Sequence, residues 1–120
     1  MLKKTPLHYG DDTCASCVVA GDFIYLAYHG GGLDRKDVAH QMRRTFESMR
    51  NTLASAGASL DDLVRINLYL KDLSDFDSAR GVFYEFFDKD RFPARMTLTT
   101  DFLEPDCLCM MDGVAYRPAI

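Results

Sequence analysis

Residues 64–76, with the sequence VRINLYLKDLSDF, join a strand pattern to the start of a helix pattern. The apolar residues of the first half stand at every second position: Val64, Ile66, Leu68 and Leu70. A period of two over eight residues predicts a strand with one buried face. Ser74 is the predicted N-cap of the following helix, because Asp77 stands three residues later at the capping-box position.

The segment after this junction continues as a helix and then as two strands. The apolar stripe of the helix consists of Phe76, Ala79, Val82, Phe83, Phe86 and Phe87. Pro93 ends the segment that contains this helix. Residues 96–99 and 108–116 are rich in strand-forming side chains and predict the last two strands, joined by a loop that contains Pro105.

The segment before the junction predicts a hairpin and a longer helix. Residues 18–20 and 23–28 are two β-rich runs that the turn pair Gly21-Asp22 separates, as in an antiparallel hairpin. The helix has apolar residues at spacings of three and four: Val38, Met42, Phe46, Met49 and Leu53. Asp37 is its predicted N-cap and Gly57 its left-handed C′ residue.

The predicted order of elements is therefore β-β-α-β-α-β-β. We expect one α+β domain over residues 1–120, with a mixed sheet and both helices packed on one of its faces. No further element is left to cover the other face. A second copy of the chain is the simplest cover, so the pattern predicts an oligomer.

The charge balance argues against a nucleic-acid binder, and the hydropathy pattern argues against a membrane protein. The chain has 14 Lys and Arg against 18 Asp and Glu, a net charge of −4. Nucleic-acid binders usually concentrate basic residues on one surface. No apolar run approaches the roughly 18 residues that span a bilayer, and no apolar segment follows the two lysines near the start. We expect a cytoplasmic protein.

The four cysteines form two close pairs, Cys14 with Cys17 and Cys107 with Cys109. Together they are compatible with a four-thiolate zinc site. However, both pairs fall in predicted strands, where side chains three positions apart point to opposite faces. Free thiols that pack as small apolar side chains are the favoured interpretation, without a metal or a disulfide.

Several motifs resemble the Rid family of YjgF-like reactive-intermediate deaminases. The residues that carry the resemblance are GDFIYL at 21–26, AGASLDDLV at 56–64, LYLKDLSDF at 68–76 and FPAR at 92–95. The resemblance extends from about residue 13 to residue 116. It implies a chorismate-mutase-like fold that trimerises through its sheet, with a cleft between neighbouring subunits. It also implies hydrolysis of 2-imino or enamino acids to 2-keto acids and ammonia, without a metal or an organic cofactor.

Arg95 matches the arginine that anchors the ligand in this family. A guanidinium keeps its charge and presents a fixed fork of donors that suits a carboxylate. A 2-imino or 2-keto acid carries such a group. The alternative is that Arg95 only forms a surface salt bridge, as most arginines do.

The last strand departs from the family pattern. The deaminases place a glutamate there to position water, but the matching position falls on Met110 or Met111. Asp112 is the only carboxylate in the predicted strand. It either supplies the missing base, with Arg95 as its catalytic partner, or matches a second acid with a structural role.

Other positions that border the family cleft also differ. Cys14 aligns near a tyrosine, and Met96 follows the arginine where a small hydroxyl is usual. Tyr28 and His29 stand near the family's serine-glycine pair and are candidates for hydrogen bonding or proton transfer, although a histidine before a glycine turn is more often solvated. Cys107 and Met110 complete the predicted ligand-binding set.

Three hypotheses follow. The first is an enzyme that hydrolyses a small imine or enamine acid, with Asp112 or His29 managing the protons. The second is a non-catalytic trimer that binds a small carboxylate, which the missing glutamate favours. The third is the ribonuclease activity sometimes attached to the family's name, and the acidic balance disfavours it.

Overall fold

The computed structural model describes residues 2–6 and 11–118. Its strands are β1 (Lys3–Pro6), β2 (Ala15–Ala20), β3 (Phe23–His29), β4 (Leu63–Leu70), β5 (Ala94–Thr99) and β6 (Cys109–Tyr116). Its helices are α1 (Val38–Ser55) and α2 (Phe76–Phe86), and short 3-10 turns precede β4 and α2. Within the described residues, no helix combines the length and the apolar character needed to cross a membrane.

The strands form one mixed sheet in the order β1-β2-β3-β6-β4-β5. β4 and β5 run parallel, because α2 crosses over the sheet between them, whereas the other neighbouring strands run antiparallel. This arrangement confirms the predicted α+β class and the mixed sheet. It also puts β5, the strand that carries Arg95, at one edge.

Strand β1 was not predicted. It pairs antiparallel with β2 at the other edge of the sheet. Its sequence, KKTP, has no alternation of apolar and polar residues. Lysine and proline are common on edge strands, where one side of the backbone has no partner. The pairing with β2 therefore defines this strand.

The core lies between the inner face of the sheet and the two helices. The apolar stripe of α1 is completely buried at Met42, Phe46, Met49 and Leu53. Phe46 packs against the α2 side, with its ring centroid 5.1 Å from that of Phe83 and 4.8 Å from that of Phe86. This aromatic cluster packs α2 against α1.

The predicted ends of α1 are confirmed. The side chain of Asp37 accepts a hydrogen bond from the backbone N–H of Ala39 at 3.0 Å, as an N-cap does. Gly57 has a φ of +79°, and the next residue, Ala58, donates its N–H to the carbonyl of Leu53 at 2.9 Å. This is the Schellman pattern, in which a left-handed glycine lets the chain turn back over the helix end.

Two local predictions around β4 are wrong. Val64 is 48% exposed and Leu63 is buried instead, because the pairing with β6 shifts between Leu63 and Arg65 and leaves Val64 as an extra residue. Ser74 does not cap α2: its N–H donates to the Asp72 carboxylate at 2.9 Å, and a 3-10 turn forms before the helix.

The four cysteines are free thiols. Cys17, Cys107 and Cys109 are buried, as predicted for small apolar side chains, whereas Cys14 at the start of β2 is only partly buried. Among the residues that the structure describes, no group of three or more His, Cys, Asp or Glu side chains has the arrangement of a metal site.

Candidate functional site

Arg95 lies on β5, and its side chain projects toward the helix side of the sheet. Its backbone pairs with Ile66, a fully buried core residue. The guanidinium carbon of Arg95 lies 5.0 Å from the ring centroid of Phe83 and 5.6 Å from that of Phe76. Both rings belong to α2, so cation–π contacts hold the guanidinium between the sheet edge and this helix.

A pocket of about 190 Å³ opens beside this guanidinium. Its wall consists of Arg80, Phe83, Tyr84, Phe92, Pro93 and Arg95. The rings of Tyr84 and Phe92 meet edge to face, with centroids 5.6 Å apart. Sites for drug-sized ligands usually occupy at least 300 Å³ or so, so this pocket suits a small organic molecule.

The charge of the pocket is positive. Within residues 2–6 and 11–118, neither Arg80 nor Arg95 forms an ion pair with a carboxylate. Arg43, by contrast, makes a two-pronged contact with Glu85, with N–O distances of 2.8 and 2.9 Å. Arg95 thus borders a pocket of its own chain, and among the described residues it does not form the surface salt bridge that was the alternative interpretation.

Asp112 lies on the outer face of the sheet, away from the helices. Its carboxylate accepts hydrogen bonds from Nδ2 of Asn67 at 2.8 Å and from the hydroxyl of Tyr69 at 2.7 Å. The bond to Asp112, together with burial, raises the pKa of Tyr69 above its usual value. Two donors from β4 therefore fix this carboxylate.

Arg95 and Asp112 project from opposite faces of the sheet. Asp112 pairs with Asn67 on β4, and Asn67 pairs with Met96 on β5. Successive side chains of a strand alternate between faces, so Arg95 points away from the face that Met96 and Asp112 share. One chain by itself does not bring these two residues to the same site.

Comparison with known families identifies the relatives of this chain. The sequence model of the family described as Endoribonuclease L-PSP matches residues 14–117. The chain belongs to this family, the YjgF/RidA or Rid family. The resemblance found in the sequence motifs is thus confirmed over nearly the whole described chain.

Named relatives and solved structures agree with this assignment. A RutC family protein of Pyrococcus abyssi is 33% identical over 109 residues, which cover 86% of this chain and 85% of the relative. The 3-aminoacrylate deaminase RutC of Acinetobacter baylyi is 32% identical over 80 residues, covering 67% and 63% of the two chains. A YjgF-family structure from Streptococcus pyogenes superposes with a TM-score of 0.87 at 29% identity, covering 98% of each chain. The YjgF fold is therefore confirmed.

His29, which was predicted to border the cleft, is buried instead. It is only 2% exposed, and its ring packs inside the domain. Nδ1 lies 2.8 Å from the carbonyl oxygen of Ala27, and Nε2 lies 2.8 Å from the hydroxyl of Thr52 on α1. His29 is thus neither a solvated loop residue nor a group on the sheet's outer face. Tyr28, its neighbour, is 36% exposed.

The other predicted ligand-binding residues are spread over the sheet. Cys14 borders an open groove at the start of β2, with Lys4, Asp11 and Asp12 among its neighbours. β2 and β5 are four strand spacings apart in the sheet. At about 4.8 Å per spacing, the two strands are on the order of 19 Å apart, so Cys14 and Arg95 do not meet within one chain.

The predicted ligand-binding residues Met96, Met110 and Cys107 do not share one face of the sheet. Met96 is 57% exposed on the outer face. Met110 lies on the same face but two strands away on β6, where it pairs with Tyr69 of the intervening strand β4. Met111 is completely buried, so Met110 takes the outer position of the two. Cys107 is also completely buried, and its thiol donates to the carbonyl of Cys109 at 3.2 Å. In this chain Cys107 is a core residue.

The sequence interpretation predicted α2 but not that this helix forms the other wall of the pocket. Phe76 and Phe83 were assigned only to the apolar stripe of α2, and Arg80 was not singled out. The sequence did contain a signal for this wall: residues 76, 80, 83 and 84 follow a helical spacing of three and four and therefore lie on one side of the helix. That this side meets β5 rather than solvent depends on the packing of α2.

Proposed function

We propose that the protein hydrolyses small 2-imino or enamino acids and that Arg95 binds their carboxylate. The observation that carries the proposal is the Arg95 guanidinium, held over two aromatic rings at the mouth of a small pocket without a carboxylate partner among the described residues. Members of the family with related sequences are named as deaminases, including the 3-aminoacrylate deaminase RutC. Arg95 supplies both the charge and the geometry that such an acid requires.

The proposed reaction needs water and two proton transfers but no metal or organic cofactor. Water adds to the carbon of the C=N bond and yields a tetrahedral carbinolamine. The carbon–nitrogen bond then breaks, ammonia leaves with the proton that the hydroxyl releases, and a 2-keto acid remains. An enamine first takes up a proton on carbon to become the imine. Arg95 holds the carboxylate beside the reacting carbon and so fixes its orientation.

Asp112 is the proposed proton-transfer group, and it has to come from a neighbouring copy of the chain. Arg95 and Asp112 occupy opposite faces of one sheet, so contact with the same substrate requires two chains. The outer face is suited to association, because several large apolar side chains are exposed on it: Phe23, Tyr25, Met96, Leu98 and Tyr116. We propose a homotrimer closed through this face, as in the family pattern.

A second candidate function is binding of a small carboxylate without catalysis. It is favoured by the methionine, Met110 or Met111, that stands at the position of the family's glutamate, because a methionine side chain cannot transfer protons. The two hydrogen bonds from Asn67 and Tyr69 also suit a structural role for Asp112. Under this alternative Arg95 keeps its role and the reaction is absent.

The two functions differ in ammonia release from 2-aminoacrylate, measured above the uncatalysed rate. The wild type and Arg95→Ala are compared, with Arg50→Ala as the matched control. Arg50 also lies over an aromatic ring, 5.2 Å from the Phe86 centroid, but it does not line the pocket. The enzyme proposal expects acceleration by the wild type and Arg50→Ala and its loss in Arg95→Ala.

Absence of acceleration in all three proteins rejects the enzyme. If 2-oxobutyrate then raises the Tm of the wild type and Arg50→Ala but not that of Arg95→Ala, the binder is supported. If it stabilises none of them, Arg95 is not a carboxylate anchor.

The assembly is tested by light scattering on the purified chain of 13.6 kDa. A mass three times this value is expected, and Tyr25→Asp on the outer face is expected to lower it. A wild-type mass of one chain would reject the shared site.

We place the protein in the cytoplasm, where thiols such as these four stay reduced.

A further inference from the structure

A second arginine, Arg80, faces the pocket that Arg95 occupies. Its guanidinium carbon lies 5.9 Å from the ring centroid of Tyr84, one turn further along α2. Its Nη2 donates a hydrogen bond to the Tyr84 hydroxyl at 3.4 Å. Tyr84 thus both lines the pocket and holds Arg80 at the rim of the pocket.

The pocket concentrates positive charge on an acidic protein. The chain has a net charge of −4, yet the two charged side chains of the pocket wall are both arginines. Several other arginines on the surface meet acids: Arg43 contacts Glu85 and Arg44 contacts Glu47. Within the described part of the chain, Arg80 and Arg95 have only aromatic rings and one hydroxyl as partners.

Two guanidinium groups that share a pocket repel each other unless an anion lies between them. A ligand with one negative group neutralises one of them. A ligand with two negative groups neutralises both, and each guanidinium can bind its carboxylate with paired N–H donors. The apolar rings of Phe83 and Phe92 line the same pocket and suit a short carbon chain that links the two acidic ends.

We infer that the ligand is a short dicarboxylate, in which Arg95 binds the carboxylate next to the reacting carbon and Arg80 binds the distal one. This inference rests on the proposed function and narrows its substrates to 2-imino or 2-oxo dicarboxylic acids. The volume of about 190 Å³ limits the chain length and excludes large acids. Arg80 then determines specificity, while Arg95 serves every acid that binds.

The experiment compares two acids of equal length by titration calorimetry. 2-Oxoglutarate carries a distal carboxylate where 2-oxopentanoate carries a methyl group. The wild type is expected to bind 2-oxoglutarate about tenfold more tightly or better, the gain of a charge-assisted hydrogen bond. Arg80→Gln is expected to bind both acids with the affinity that the wild type has for 2-oxopentanoate, and Arg80→Lys to keep part of the preference.

Arg50→Gln is the matched control, since it removes an exposed arginine from an aromatic ring outside the pocket. It is expected to leave both affinities unchanged. Equal affinities of the wild type for the two acids, or equal weakening of both by Arg80→Gln, overturn the dicarboxylate inference and leave Arg95 as the anchor. Failure of both acids to bind the wild type overturns the proposed function as well.

Discussion

Replacement of Asp112 by asparagine removes one charge and keeps the shape of the side chain. The carboxylate accepts hydrogen bonds of 2.8 Å from Asn67 and 2.7 Å from Tyr69 across two strands. Hydrogen bonds to charged groups contribute about 1.5–3 kcal/mol and neutral ones about 0.5–1.5 kcal/mol. The amide of the introduced side chain would still accept one bond, and the Tyr69 hydroxyl can rotate to accept the other.

The loss is therefore roughly 1 kcal/mol for each bond, reduced somewhat because the site is only partly buried. We expect Asp112→Asn to lower the free energy of unfolding by about 1–2 kcal/mol. For a chain of 120 residues, an unfolding entropy of about 2.1 cal/mol/K per residue converts 1 kcal/mol to about 4 °C. The expected decrease in Tm is about 4–8 °C.

The assay is thermal unfolding followed by circular dichroism at one fixed protein concentration, because association shifts the Tm. Asp101→Asn is the control: this acid is exposed, and its carboxylate makes no hydrogen bond within the described residues. Its Tm is expected to change by no more than about 1 °C. An unchanged Tm in Asp112→Asn would refute the reasoning that these two bonds stabilise the sheet.

The same variant tests the proposed proton transfer at 25 °C, where we expect it to stay folded. Loss of ammonia release with intact binding of 2-oxobutyrate supports Asp112 as the proton-transfer group. Wild-type ammonia release in Asp112→Asn leaves this residue with its structural role alone.

Three further perturbations follow from the packing. Gly113→Ala is expected to destabilise by about 1–3 kcal/mol, because its Cβ would lie 2.7 Å from a main-chain carbonyl of β4. The pKa of Tyr69 is raised in the folded state, whereas an unfolded tyrosine titrates near pH 10 or so. The free energy of unfolding of the wild type therefore decreases as the pH rises above that value. Tyr69→Phe is expected to make this decrease smaller. Thiol labelling with Ellman's reagent at pH 8 is expected to modify Cys14 first, since burial raises the pKa of Cys109 to about 12.

Each of these has a decisive counter-result. Gly81→Ala is the control for the first, since its Cβ meets nothing within 4 Å; equal effects of the two glycine substitutions would contradict the steric argument. A wild-type alkaline limb in Tyr69→Phe would show that another group titrates there. Rapid labelling of all cysteines in the native protein would contradict the burial of Cys109.

Local features of the fold were open to prediction from the sequence, because neighbouring residues determine them. The caps of α1 at Asp37 and Gly57 depend on backbone groups within one turn. The hairpin at Gly21 depends on its own turn, with a φ of +60°. The motif that ends in Arg95 is also contiguous, and its resemblance to the family predicted a carboxylate anchor at this position.

Pairing between distant strands decided the rest. A bulge opposite β6 moved Val64 out of the core, and an edge pairing made a strand of residues with no apolar pattern. Such choices depend on the register that the partner strand imposes, which no period within one segment encodes.

Which residues share the site was likewise decided by the tertiary structure. The residue types and their order specified two chemical groups, a guanidinium at position 95 and a carboxylate at position 112. Only the sheet showed that they project from opposite faces. Only the docking of α2 brought Arg80 beside Arg95. The reason is that side-chain direction alternates along a strand, while helix packing selects which residues share a pocket.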